Sequence, residues 1–252
     1  MGRVITVVVA IASCLLIWKS GAVISMLPGS LGPTAPTADP GSNIALAGDA
    51  MGKLTSVHLS LNGTMVFNGL PGVKVTGSGD LVYPHKENLS LQLSVPGANG
   101  QYISLVENMR IENGHEYVQI PSQSPKWNDV TGNSKAQVAP GMDPISNLEF
   151  VRAIRASDDL GDITMDNIDV HHFSLSVDTG KYVGQLQADK SNPLDPGVEA
   201  ELTGSAIQVE VWISSSDHLV HQMKTRVDAP DFNWDITYHY TDFQSGSATN
   251  SA

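Results

Sequence analysis

The body of this chain has no cysteine. The only one among its 252 residues is Cys14, inside an apolar stretch at the N-terminus. A disulfide framework and a thiolate metal site are therefore excluded for the folded part. Aromatic residues are scarce at 6%, so a core must be built mostly from aliphatic side chains. Basic residues are also few: 14 Lys and Arg stand against 26 Asp and Glu, a formal net charge of -12. Two of those basic residues, Arg3 and Lys19, fall in the N-terminal stretch, which leaves the remainder more acidic still. Nucleic acid is excluded as a partner, because phosphate contacts need clustered Lys and Arg. An anionic lipid surface would repel such a body. Any hold on a membrane has to come from the N-terminus.

No charge-free apolar run there reaches the length of a membrane span. Val4 to Trp18 is closed by Lys19, and at about 1.5 Å per residue it covers roughly 22 Å of a hydrocarbon core about 30 Å thick. That length, behind Met1-Gly2-Arg3, predicts the apolar region of an export signal. Ile11-Ala12-Ser13-Cys14 resembles a bacterial lipobox, which implies cleavage before Cys14 and a diacylglycerol on its sulfur. Leu15 to Trp18 stays apolar after the cysteine, so an uncleaved signal anchor, extended by Ala22 to Leu27, stands as a second reading and a plain secreted protein as a third. Residues 1–27 are thus assigned as a lipoprotein signal or anchor. Residues 28–43, with Pro28, Pro33, Pro36 and Pro40, read as a linker. Residues 44–244 form one domain and 245–252 a small polar tail.

Gly, Ser, Thr and Asn are plentiful, a mix that suits strands joined by turns. After a short amphipathic segment at Asn43 to Leu54, capped by Ser42, the apolar period becomes two. Val57, Leu59 and Leu61 alternate with polar neighbours, as do Leu89 to Val95, Phe173 to Val177, Ile207 to Ile213 and Phe232 to Tyr240. Further strands are expected at Lys74 to Tyr83, Tyr102 to Ile111, His115 to Ile120 and Leu219 to Arg226. Pro144 to Ala156 and Lys181 to Ala188 read as helices. The expected fold is α+β and mostly β. One large antiparallel sheet, apolar on one face, is covered there by helices.

Catalytic and metal chemistry find no motif. His171 and His172 point to opposite faces of a strand, and no His-Glu-x-x-His occurs. Asp158, Asp159, Asp162, Asp166 and Asp169 lack the spacing of an EF-hand and read as a solvated connection. There is no nucleophile elbow, P-loop or dinucleotide fingerprint. The expectation is a non-enzyme without cofactor.

The order of helix, strands, central helices and strands resembles the LolA/LolB-like half-barrel, and within it the LppX/LprG group of bacterial lipoproteins. The resemblance is carried by Gly79-Asp80-Leu81-Val82-Tyr83-Pro84, by Glu116 to Pro121 followed by Trp127, by Val209-Glu210-Val211-Trp212-Ile213 with Asp217 to Val220, and by Tyr240-Thr241-Asp242-Phe243. Ser214 stands where the family hairpin has Asp. It implies a strongly curved sheet around an apolar cavity that holds acyl chains of a lipid or glycolipid. On the same scaffold an envelope sensor with a protein partner is the alternative. The strand alternation, and for Val151 and Ile154 the helical spacing, then supply candidate lining residues: Leu59, Leu61, Leu91, Leu93, Val151, Ile154, Phe173, Leu175, Val209, Val211, Trp234, Ile236 and Tyr238.

Overall fold

A computed structural model describes residues 40–67, 72–83, 86–97, 101–112, 115–131, 153–188 and 196–245. The N-terminal segment with Cys14, most of the stretch read as linker, Pro84, the helix read over 144–152 with Val151, and the tail after Ser245 lie outside them.

Eleven strands form one antiparallel sheet in the order β6-β5-β4-β3-β2-β1-β11-β10-β9-β8-β7. They are β1 (Leu54–Phe67), β2 (Val73–Val82), β3 (Lys86–Pro96), β4 (Tyr102–Glu112), β5 (His115–Gln119), β6 (Asn128–Asp129), β7 (Ile154–Met165), β8 (Ile168–Val177), β9 (Ala206–Ser214), β10 (Val220–Asp228) and β11 (Phe232–Ser245). Two meanders of sequential strands are joined where the first strand pairs with the last, Leu59 opposite Tyr240 and Leu61 opposite Tyr238. The sheet is not closed into a barrel: β6 and β7 are its two edges.

Period-two alternation puts one set of side chains on the inner face. Leu59, Leu91, Leu93, Phe173, Leu175, Val209 and Val211 are each at most 2% exposed and share one core. Three glycines interrupt that inner set, Gly63 on β1 and Gly77 and Gly79 on β2. A Cβ on Gly79 would run into the Asn88 carbonyl and Leu89 Cα of the next strand, and one on Gly63 into the Asp235 carbonyl. The backbones therefore approach through the space a side chain needs, which places tight coiling of the sheet at β1 and β2.

Helix α1 (Pro40–Met51) begins inside the stretch read as linker, so Ser42 sits in its first turn rather than at its cap. Ile44, Ala47 and Met51, spaced to share one side, are fully buried against the sheet core. The helix touches β7 and β9, and Met51 Sδ accepts the Val220 amide at 3.4 Å. Helix α2 (Thr179–Ala188) is capped by Asp178, whose Oδ1 accepts the Lys181 amide at 3.0 Å. Helix α3 (Pro196–Thr203) opens on proline, stops at Gly204 and packs on α2. Its eight residues carry too short a pattern to stand out in the sequence. Val183 and Leu202 insert from these two helices into the sheet core. Among the described residues no helix is long and apolar enough to cross a membrane.

Two expectations are corrected. The helix read through Ala156 gives way to a strand at Ile154. The acidic stretch after it is no loose connection. It is β7 and its hairpin to β8, turned at Asp166 and Asn167 with φ of 53° and 63°, values that suit a tight two-residue turn. Carboxylates spoil apolar alternation, and they also protect an edge strand from pairing with another chain.

Candidate functional site

Strand register assembles the inner face into rows that run across the sheet. One row reads Asp159, Phe173, Val211, Met223, Tyr238, Leu61, Gly77, Leu91 and Glu107, crossing nine strands from β7 to β4. Beside it run Leu175, Val209, Thr225, Ile236, Gly63, Val75, Leu93 and Leu105. On the other side run Tyr240, Leu59, Gly79, Leu89, Met109 and Val118. Each row gives up a side chain to glycine at β1 or β2. The result is a continuous apolar inner face, with the three helices' buried residues set into the same core.

Of the thirteen predicted lining residues, eleven lie buried on this face: Leu59, Leu61, Leu91, Leu93, Phe173, Leu175, Val209, Val211, Trp234, Ile236 and Tyr238. Ile154 is only partly buried, at the start of edge strand β7. Val151 lies outside the described residues.

Three polar features mark this inner face. Tyr238 lies in mid-row, and burial, with Tyr182 of α2 nearby, pushes its hydroxyl well above the ordinary range. At the β4 end stands Glu107, between Leu105 and Met109 and 2% exposed. Burial alone raises its carboxyl from 4.5 to about 7, and among the described residues Oε2 has no hydrogen-bond partner. The sequence reading missed it. The signal was present, since an alternation of Leu105 and Met109 puts the residue between them on the core face.

At the β7 end, His171 is clasped by two carboxylates. Its Nε2 meets Asp159 Oδ1 at 2.7 Å and its Nδ1 meets Asp162 Oδ1 at 2.6 Å. A bulge between Asp159 and Gly161, with Gly161 at φ 87°, brings both carboxylates to the ring. The Gly161 amide, and after it His171, hold the Asp159 carboxyl below its ordinary value. The ring stacks on Phe173 at 4.5 Å. His172 points the other way, as neighbours in a strand must, stacking on Trp212 at 4.2 Å and meeting Glu210 at 3.0 Å. His218 lies in the turn before β10 with φ 61°, not on the strand with His221. Among the described residues no three His, Cys, Asp or Glu side chains gather as a metal would require.

The opposite face of the sheet is polar. His58 binds Asp80 at 2.7 Å, Gln92 binds Ser104 and Asn108 binds Gln119. Arg110 lies between the rings of Tyr117 and Trp127, 4.9 Å from each. A cleft of about 230 Å³ opens beside Thr64, Val66, Arg226 and Asp235. Arg226 and Lys224 already engage Asp235 there, at 3.0 and 3.4 Å. Val227 and Trp234 also reach that cleft, while its charged side chains engage one another.

The chain forms an open antiparallel sheet with helices set into its apolar face, a half-barrel type of fold. A solved structure shares it. LprF from Mycobacterium bovis is similar over 85% of this chain and 97% of its own, with 13% sequence identity and a TM-score of 0.50. The lipoprotein LppX of Mycobacterium tuberculosis matches 83% of this chain and 98% of its own, with 15% identity and a TM-score of 0.46. A LolA superfamily protein from Nitrosomonas europaea matches 82% of this chain with a TM-score of 0.25. No protein-family model matches the sequence, and no curated protein matches it. At these identities the likeness is one of fold.

Proposed function

We propose that the chain is an exported, membrane-tethered lipoprotein. Its sheet holds the acyl chains of a lipid or glycolipid for carriage within the cell envelope. The observation that carries this reading is the inner face: three adjacent rows of aliphatic and aromatic side chains on one side of a coiled sheet. Each methylene an acyl chain buries there contributes roughly 0.8 kcal/mol, so about fifteen of them supply roughly 12 kcal/mol against the cost of association. Nothing in this mechanism needs a nucleophile or an acid–base pair. The tether is assigned to the N-terminal segment, with Cys14 as the acylated residue. An acidic body has no electrostatic hold of its own on an anionic bilayer, and two acyl chains anchor durably.

Trp234 provides the test, because it lies on the inner face while Trp212 stacks outside. Lipids brominated along the acyl chain should quench part of the wild-type fluorescence, and Trp234→Phe should abolish that part. Quenching that is the same in both proteins would refute acyl binding at the inner face.

A further inference from the structure

The inner face of β4 carries a carboxyl where its pattern calls for an apolar side chain. Leu105 and Met109 flank Glu107 on the strand, and Leu91 faces it from β3. Beyond Leu91 the row continues to Gly77, which has no side chain to contribute. Glu107 is buried to 2% exposure, yet its Oε2 meets no donor among the described residues. Buried polar atoms are nearly always paired, so one left open on the face that binds ligand asks for a partner from the ligand.

We propose that Glu107 is the polar contact of the acyl-chain site, selecting lipids that bring an uncharged hydroxyl to it and rejecting those with anionic head groups. The proposal rests on the lipid-binding reading and names the lipid class. A hydroxyl donates to Oε2 and also accepts from the protonated carboxyl, which is well populated at neutral pH because burial raises its value to about 7. A phosphate or free carboxylate brings like charge against an acidic group in a poorly screened setting. Glu116, opposite Ile111 on β5, adds a second carboxyl on that side, and Leu91, Leu105, Met109 and Val118 add no charge. An ammonium head group would have to be stripped of water with one partner to offset the loss.

The test uses the full chain in mild detergent, titrated with 1,2-dioleoylglycerol, dioleoyl phosphatidate and methyl oleate. Wild type should bind the diacylglycerol at least tenfold more tightly than the phosphatidate. Glu107→Leu should weaken diacylglycerol binding about tenfold relative to methyl oleate. Glu107→Gln, a smaller perturbation of the fold, should keep diacylglycerol binding and narrow the discrimination against phosphatidate. An equal ratio of diacylglycerol to methyl oleate affinity in wild type and Glu107→Leu, or unaltered discrimination in Glu107→Gln, would overturn the proposal and leave the lipid reading intact. Failure of wild type to bind any of the three probes would overturn both.

Discussion

Replacing Glu107 with glutamine should erase a pH-dependent loss of stability. In the unfolded chain the carboxyl ionises near 4.5; in the folded protein burial holds it protonated to about 7. Between those values the folded state binds more protons than the unfolded one. Stability is therefore greatest below the unfolded value, falls as pH rises through the window, and levels off above the folded value. The whole window is worth about 3 kcal/mol, of which roughly 2.5 kcal/mol falls between pH 5 and pH 8. The assay is denaturant unfolding of both proteins at those two pH values, with the glutamine variant subtracted from wild type. Subtraction removes the contributions of all other titrating groups. The glutamine amide brings its own unpaired donors, which shift the variant at both pH values alike, so the slope decides and the absolute stability does not. Equal slopes would refute the assignment of Glu107 to a desolvated inner-face position.

Gly79→Ala should destabilise the protein by about 1–3 kcal/mol, since the new Cβ meets the Asn88 carbonyl and Leu89 Cα; unchanged thermal unfolding would contradict tight coiling at β2. Asp178→Ala removes the cap of α2 and should cost about 0.5–2 kcal/mol, read from denaturant unfolding, and no loss would mean the Lys181 amide finds another acceptor. His171→Ala should raise the Asp159 value in a carboxyl NMR titration, but only part of the way, because the Gly161 amide is the larger cause of its lowering. The sign for stability is opposite to that of Glu107: Asp159 stabilises above its ordinary value of 3.8, and that contribution is lost as pH falls through the lower folded value. For the tether, intact-mass analysis of membrane-extracted protein should find Met1 absent and Cys14 at the N-terminus carrying acyl chains, whereas an intact Met1 with unmodified Cys14 would favour the signal anchor.

Much of the sheet is legible in the sequence because its inner face is apolar and its outer face polar. Leu89 to Val95, Phe173 to Val177, Ile207 to Ile213 and Phe232 to Tyr240 announce themselves by alternation alone. Legibility fails where tertiary needs override the pattern. Strand β1 continues past Leu61 to Phe67, through Asn62-Gly63-Thr64, a composition that reads as a turn; Gly63 is there because Asp235 of β11 comes too close for any side chain. Strand β7 hides behind its carboxylates, which edge protection and the clasp on His171 both use. Trp212 belongs to the polar face by alternation, yet it is 8% exposed because His172 stacks across it. Of the inner face, the apolar residues were readable as a set. Glu107 was readable only through Leu105 and Met109, because a single carboxyl reads as solvated until its strand neighbours fix the face it occupies.

Native mass spectrometry of the full chain, extracted gently from its own membranes, tests the central claim most directly. Acyl-chain lipid should travel with the folded protein and be released on unfolding, and Glu107→Leu should shift which lipid is retained. A lipid-free mass for folded wild type, together with the solution binding of no acyl probe, would contradict the account.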